Sequence, residues 1–275
     1  MEKMEIGVML AVGTDPRDGL RKVMELGLKC CQLGSPGDEW LESPRREEVK
    51  RAIEEAGVRV TTVFVGFEGE SYADIETVKR TVGFGERGTR ARRLARAERV
   101  SEFAKFLGVK RVASHIGFIP EDAREKGYRE LAEAVRRLAD CCARNGQVFA
   151  LETGQEPAEV LKGFIEDVGC ANVRVNFDPA NMILYGSGEP LAALEMLKGY
   201  VDGVHVKDGD WPTEKGKLGQ ERRLGEGKVN IPGFIAKLKE IGYTGPLTIE
   251  REISGAEQMR DIRKGIDWLK ELRQG

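Results

Sequence analysis

Glycines that close a helical stretch just before a β-prone run recur along this chain, at Gly27, Gly57, Gly108, Gly146 and Gly169. Glycine caps a helix in the left-handed conformation that other residues resist, so its return marks one helix-to-strand junction used repeatedly. The β-prone runs are Ile6–Val12, Leu28–Leu33, Val58–Val65, Val109–Ile116, Gln147–Glu152, Val173–Asp178, Gly203–Lys207 and Leu247–Glu250. Between them lie amphipathic helical stretches, with Val49, Ala52, Ile53 and Ala56 at i, i+3, i+4 and i+7, and Met259, Ile262, Ile266 and Leu269 at near-helical spacing. Eight such units in 275 residues, without a low-complexity linker, predict a single α/β domain over 1–275, a closed (β/α)8 TIM barrel. A doubly wound open sheet would carry a glycine-rich phosphate turn after its first strand, and Ala11-Val12-Gly13-Thr14 is not G-x-G-x-x-G.

The surplus length sits after the third run, where residues 66–90 form an excursion expected to pack as a lid over the strand-end mouth. Composition then removes several function classes. Lys and Arg number 44 against 46 Asp and Glu, a formal charge of −2 that offers no bulk attraction to nucleic acid or an anionic membrane. The apolar run Ile6–Val12 is far shorter than the ~20 residues of a membrane span, and its acidic flank is unlike a secretory signal. Five cysteines, four of them in the adjacent pairs Cys30/Cys31 and Cys141/Cys142, make no disulfide framework and point to reduced thiols in a cytoplasmic protein. Only two histidines are present, His115 and His205, so a site needing three is excluded.

Barrel chemistry gathers at the C-terminal ends of the strands, on side chains that point inward. Strand alternation turns Phe149 and Leu151 outward and leaves Glu152 inward, and the polar phase of the sixth run is Arg174, Asn176 and Asp178. By the same alternation His205 points inward between Val204 and Val206, and Thr248 and Glu250 point inward beside Leu247 and Ile249. Four successive strands thus each place one acid or imidazole at one level. Three carboxylates in a confined mouth repel one another unless a cation neutralises them. Three oxygen ligands and one imidazole suit one hard-to-borderline divalent ion, with Mn2+ the first expectation and Mg2+, Co2+ or Zn2+ the alternatives.

The segments Leu151-Glu-Thr-Gly154, Asn176-Phe-Asp-Pro-Ala-Asn181, Val204-His-Val-Lys-Asp208, Leu224-Gly-Glu-Gly227 and Leu247-Thr-Ile-Glu250, in barrel order, resemble the xylose-isomerase-like TIM barrels. That superfamily of sugar isomerases and epimerases includes the ketose 3-epimerases and inosose-processing enzymes. The resemblance implies that Glu152, Asp178, His205 and Glu250 are metal ligands, and that Glu152 and Glu250 double as acid/base groups. It implies isomerisation or epimerisation of a sugar, keto-sugar or polyol through a metal-stabilised enediolate, one glutamate removing a proton from one face and the other returning it to the opposite face. The chain departs from the ketose 3-epimerases where they carry a histidine (here Asn181), a glutamate six residues beyond the first ligand (here Ala158) and an arginine six beyond the ligand histidine (here Trp211). The substrate grip therefore differs from theirs.

Expected substrate contacts are His115 at the end of the fourth run, Glu156, Asn181 and Lys207 beside the ligands, and Trp211 as a stacking surface for a sugar face. Asp208 is expected to support the ligands, and the six arginines between Arg87 and Arg99 to form a solvated helix face. The expected partner is a small sugar or polyol, with neither nucleic acid nor membrane, and the surface is compatible with a homo-oligomer. The competing reading is a metal-dependent lyase or dehydratase acting on a keto-sugar or inosose from the same site. An apurinic-site endonuclease, which shares the fold, needs a histidine-rich three-zinc site that two histidines cannot supply.

Overall fold

Eight parallel strands close on themselves in a computed structural model that describes residues 4–274. The barrel strands are β1 (Ile6–Leu10), β2 (Cys30–Leu33), β3 (Arg59–Val65), β4 (Arg111–Ser114), β5 (Val148–Glu152), β6 (Val173–Phe177) and β7 (Val201–Val206), with β10 (Leu247–Ile249) closing between β7 and β1. Each lies inside or within two residues of its sequence-derived run. Two further strands, β8 (Asp208–Asp210) and β9 (Gln220–Arg222), pair antiparallel as a hairpin above the barrel, an element the sequence pattern does not announce. The helices are α1 (Pro16–Glu25), α2 (Arg45–Ala56), α3 (Ile75–Thr81), α4 (Arg87–Phe106), α5 (Lys126–Arg144), α6 (Ala158–Val168), α7 (Pro179–Tyr185), α8 (Pro190–Leu197), α9 (Ile231–Glu240) and α10 (Gly255–Gln274).

The alternation inferred for the strands builds two separate apolar regions. Phe149, Leu151, Val175, Phe177, Val204 and Ile249 face outward into the main core beneath the helices, where each fully buried side chain contributes about 1.5–3 kcal/mol. Inside the barrel, Phe64, Ala113 and Ala150 form a small cluster of their own with Met9 against it. The rest of the interior near it is polar: Gln32, Thr62, Asn176 and Thr248 are all buried. Helix α5 shows the outer packing, with Leu131, Val135, Leu138 and Cys142 buried along one stripe. Gly57 and Gly169 end α2 and α6 at φ of 61° and 69°, the left-handed caps that the repeated glycines imply. All five cysteines are free, and four of them are buried. Among the described residues no helix is long and apolar enough to cross a membrane.

The segment 66–90 carries the short helix α3, and its two ends are stapled down by α4. Arg96 Nε donates to the carbonyl of Gly66 at 3.0 Å, Arg93 to that of Gly83 at 2.5 Å, and Arg90 to those of Phe84 and Gly85 at 2.6 and 2.9 Å. This corrects the expectation of a purely solvated arginine face. Arg93 is buried, with its guanidinium also over the Phe67 ring, because these carbonyls lack strand or helix partners and the guanidinium supplies them. Arg87 and Arg99 do lie at the surface, paired with Glu130 and with Asp38 and Glu42.

Candidate active site

The imidazole of His205 stands at the centre of the barrel mouth, fully buried, its ring stacked on Phe64 with centroids 5.3 Å apart. Nε2 lies 2.9 Å from Oε1 of Gln32, and the other end of that amide donates to Asn176 Oδ1 at 3.5 Å. An amide oxygen only accepts, so Nε2 carries the proton and, in the neutral ring, Nδ1 presents a lone pair. Three carboxylate oxygens converge on that lone pair: Glu152 Oε1 at 2.9 Å, Glu250 Oε2 at 3.2 Å and Asp178 Oδ2 at 3.3 Å.

Local structure fixes each carboxylate. Asp178 caps α7: its Oδ1 accepts from the Asn181 amide at 2.9 Å, which leaves Oδ2 for the mouth. Its own backbone is pinned by Thr153, whose hydroxyl accepts from the Asp178 amide at 2.8 Å and donates to the Asp178 carbonyl at 2.9 Å. Glu152 ends β5, its Oε2 lying 3.2 Å from His115 Nε2 and its Oε1 accepting from Asn181 Nδ2 at 3.4 Å. Glu250, just past β10, takes a hydrogen bond from Lys207 Nζ at 3.1 Å, and the same ammonium reaches Asn181 Oδ1 and Glu252 Oε1 at 3.2 and 2.6 Å.

Four donor atoms, one from each of Glu152, Asp178, His205 and Glu250, lie within 4.8 Å of one another. A lone pair facing three anionic oxygens is repulsive without a positive charge between or on them, and the donor set of three oxygens and one nitrogen fits a divalent cation. Without a cation, the charge falls on the ring itself. Burial opposes that charge, but Glu250 and Glu152 outweigh burial and raise the basicity of His205. Glu250 is likewise resisted by burial, yet Lys207 and His205 hold its carboxyl well below the usual range. These directions describe a pocket built around positive charge.

Above this cluster opens a cavity of about 620 Å3. Glu152 and Glu250 line its floor beside the cluster, His115 and Asn181 also line it, and Tyr72 and Lys217 reach it from the loop before α3 and the loop between β8 and β9. Those loops meet where the Ile75 amide donates to the Gly216 carbonyl at 3.2 Å. Of the contacts expected from sequence, His115 and Asn181 line the cavity, whereas Lys207 sits behind the wall and holds its acids.

Two expected contacts, Glu156 and Trp211, are not brought to the cavity. Glu156 is buried away from it in the loop before α6, with its Oε2 unpartnered and its carboxyl pushed up to about 8 by burial. Trp211 is carried past the mouth by the β8–β9 hairpin and packs half-buried against the main core. Asp208 does not bear on the four donors; it organises the loop at Gly225.

Gln32, Tyr72, Tyr185, Lys217 and Glu252 were missed in the sequence. Gln32 carried a signal, being the polar member of the buried strand Cys30–Leu33. Tyr185 lies one helical turn beyond Asn181, and Glu252 shares the phase of Glu250, so both were within reach of periodicity. Tyr72 and Lys217 sit on loops where no period operates.

The chain belongs to the xylose isomerase-like TIM barrel family, whose model matches residues 20–272. It is similar over 99% of its length to a xylose isomerase domain protein from Planctomyces limnophilus, at 39% identity and a TM-score of 0.95, covering 98% of that chain. An uncharacterised protein of Methanocaldococcus jannaschii is 28% identical over 172 residues, which span 58% of this chain and 55% of that protein. An L-ribulose-5-phosphate 3-epimerase of Salmonella paratyphi C is 24% identical over 80% of this chain and 74% of its own length. A family member from Mycobacterium smegmatis, solved in complex with magnesium, shares the fold at 21% identity and a TM-score of 0.70 over 94% of this chain and 88% of its own.

Proposed function

We propose that this protein is a divalent-metal-dependent isomerase or epimerase of a sugar, keto-sugar or polyol. The observation that carries the reading is the single imidazole nitrogen faced by three carboxylate oxygens beneath a cavity that two of those carboxylates line. Glu152, Asp178, His205 and Glu250 would hold the cation, for which Mn2+ is the first candidate. When bound, it would supply electrostatic stabilisation for the negative charge that develops as a carbon beside a carbonyl loses its proton. The names of the epimerase relatives support the same class of reaction.

The chain's own residues then divide the proton chemistry. Glu152 and Glu250 stand on either side of His205 Nδ1, on β5 and just past β10, with β6 and β7 between those strands. One removes the proton from the substrate carbon and the other returns one from the opposite side. Each has its own positive or polar partner, His115 for Glu152 and Lys207 for Glu250, so the two carboxylates are chemically distinct. The loops carrying Tyr72 and Lys217 keep bulk water from the carbanionic stage, the excursion 66–90 acting as the lid.

Incubation of the Mn2+-loaded protein with ketoses, inososes and 3-keto sugars in D2O, followed by NMR, tests this. Solvent deuterium entering a carbon-bound position, with products of unchanged heavy-atom composition, is expected. Loss of water or chain cleavage would transfer the site to the lyase reading, and absence of exchange from every compound would overturn both.

Gln32 gives a narrower expectation. Gln32→Leu removes the acceptor that keeps the proton on Nε2, so calorimetric Mn2+ affinity should fall about 10–100-fold, the usual effect of losing a group that orients a ligand histidine. Unchanged affinity would remove Gln32 from that role.

A further inference from the structure

We propose that the substrate of this site carries no phosphate group. The inference rests on the isomerase reading above and specifies its substrate class; its physical basis is that every place where an anion would be received is already taken or repels it.

The first such place is the glycine loop. In barrels of this kind phosphate groups are commonly received by backbone amides of the loops after the seventh and eighth strands. Here β7 runs directly into Asp208, and four amides of the adjoining loop converge on its buried carboxylate. Gly209 and Val229 donate to Oδ1 at 2.9 and 3.1 Å, and Gly225 and Gly227 donate to Oδ2 at 2.9 and 3.1 Å. This is a nest of the kind that receives phosphate oxygens, occupied by the protein's own anion. A Cβ built on Gly227 would fall 2.3 Å from Asp208 Oδ1, so the loop is moulded closely on that carboxylate.

The second place is the cavity wall. Among the described residues that line it, Lys217 alone is a lysine or arginine. It stands near enough to Asp74 to help the Thr77 hydrogen bonds hold that carboxyl down. Behind the wall, Lys207 is shared among Glu250, Glu252 and Asn181, and Arg251 is engaged by Glu221 and Asp261 at 2.9 and 3.0 Å. Lining the same cavity are Glu221, Glu252 and Glu70, the last with its two oxygens accepting from the Phe67 and Gly83 amides, as well as the two floor glutamates. A divalent cation on the floor, together with Lys207, Lys217 and Arg251, still leaves these carboxylates and Asp178 in excess.

The arginines of α4 offer no alternative, since none of them lines the cavity: Arg90, Arg93 and Arg96 are engaged by loop carbonyls and Arg99 by Asp38 and Glu42. A phosphate ester, bearing about −1.5 to −2 charges at pH 7, would therefore enter against a negative field with no donor cluster to compensate it. An uncharged polyol meets the opposite situation: carboxylates that accept from hydroxyls, and the Tyr72 and Tyr185 rings against which a sugar face can lie.

Matched pairs decide the matter. D-ribulose and D-fructose, each beside its terminal phosphate ester, would be titrated calorimetrically into the Mn2+-loaded protein, with deuterium exchange followed on the same samples. Each sugar is expected to bind at least ten-fold more tightly than its ester. The ratio should shrink as salt is added, because screening weakens repulsion and leaves a purely steric exclusion unchanged. An ester that binds as tightly as its sugar overturns the proposal, as does binding of neither sugar or a ratio insensitive to salt. A sugar that binds in preference to its ester but exchanges no deuterium overturns the isomerase reading alone.

Discussion

Glu152→Gln and Glu250→Gln, each assayed with its metal site confirmed occupied, are expected to lose at least ~10²-fold in turnover, the scale of a deleted general base. The amide keeps the shape and can still offer an oxygen, so metal content and activity can be separated. The two variants should differ in what survives. Where the remaining carboxylate faces the substrate hydrogen, it can remove and return a proton on one side, and deuterium should wash into recovered starting material without product. Where the remaining carboxylate faces the other side, both exchange and turnover should disappear. Because Glu152 is held by His115 and Glu250 by Lys207, this asymmetry should persist across substrates of one configuration and reverse for their epimers. Near-normal turnover in both metal-replete variants would disprove the two-carboxylate mechanism.

Exhaustive chelation is expected to abolish turnover, with Mn2+ or Co2+ restoring it. Stability offers a second readout. A cation that binds the folded chain and not the unfolded one stabilises it by about 2.7 kcal/mol at a hundred-fold excess over its dissociation constant. Chelated protein should accordingly melt several degrees lower and regain its Tm on Mn2+ addition. Asp178→Asn and His205→Asn should lose most of that metal-dependent gain. Asp178→Asn weakens the anionic oxygen at 3.3 Å from Nδ1 while preserving a cap for α7, so its loss can be assigned to the cation rather than to the helix. Full activity after chelation would dismiss the metal site.

The barrel was legible because it repeats. Each strand is covered by helices on its outer face, so Phe149, Leu151, Val204 and Ile249 had to be apolar, and their regular return exposed Glu152, His205 and Glu250 in the opposite phase. That phase argument located the residues that converge on Nδ1 without any knowledge of the mouth. It failed beyond the strand ends. Trp211 follows His205 by six residues, but the chain turns at Lys207 into a three-residue strand whose Asp-Gly-Asp sequence has no β signature, and the ring goes elsewhere. Glu156 follows Glu152 by four residues through a loop with no period to orient it. The arginines of α4 looked like a solvated face because composition records their charge and not the carbonyls they meet. Tyr72 and Lys217 depend on how two long loops fold over one another.

The staples from Arg90, Arg93 and Arg96 bear on the entropy of ligand capture. They anchor both ends of an eighteen-residue span, from Gly66 to Gly83, to a helix that is part of the barrel's outer ring. The conformational freedom of this segment is therefore surrendered largely when the chain folds, not when a ligand arrives, and Thr81 adds to the restraint by binding both the amide and the carbonyl of Ser71 beside Tyr72. Lysine in place of Arg90 or Arg96 would keep the charge and lose the planar fork that spans two carbonyls at once, Phe84 with Gly85 and Gly66 with Pro36, shifting that ordering cost back onto every binding event.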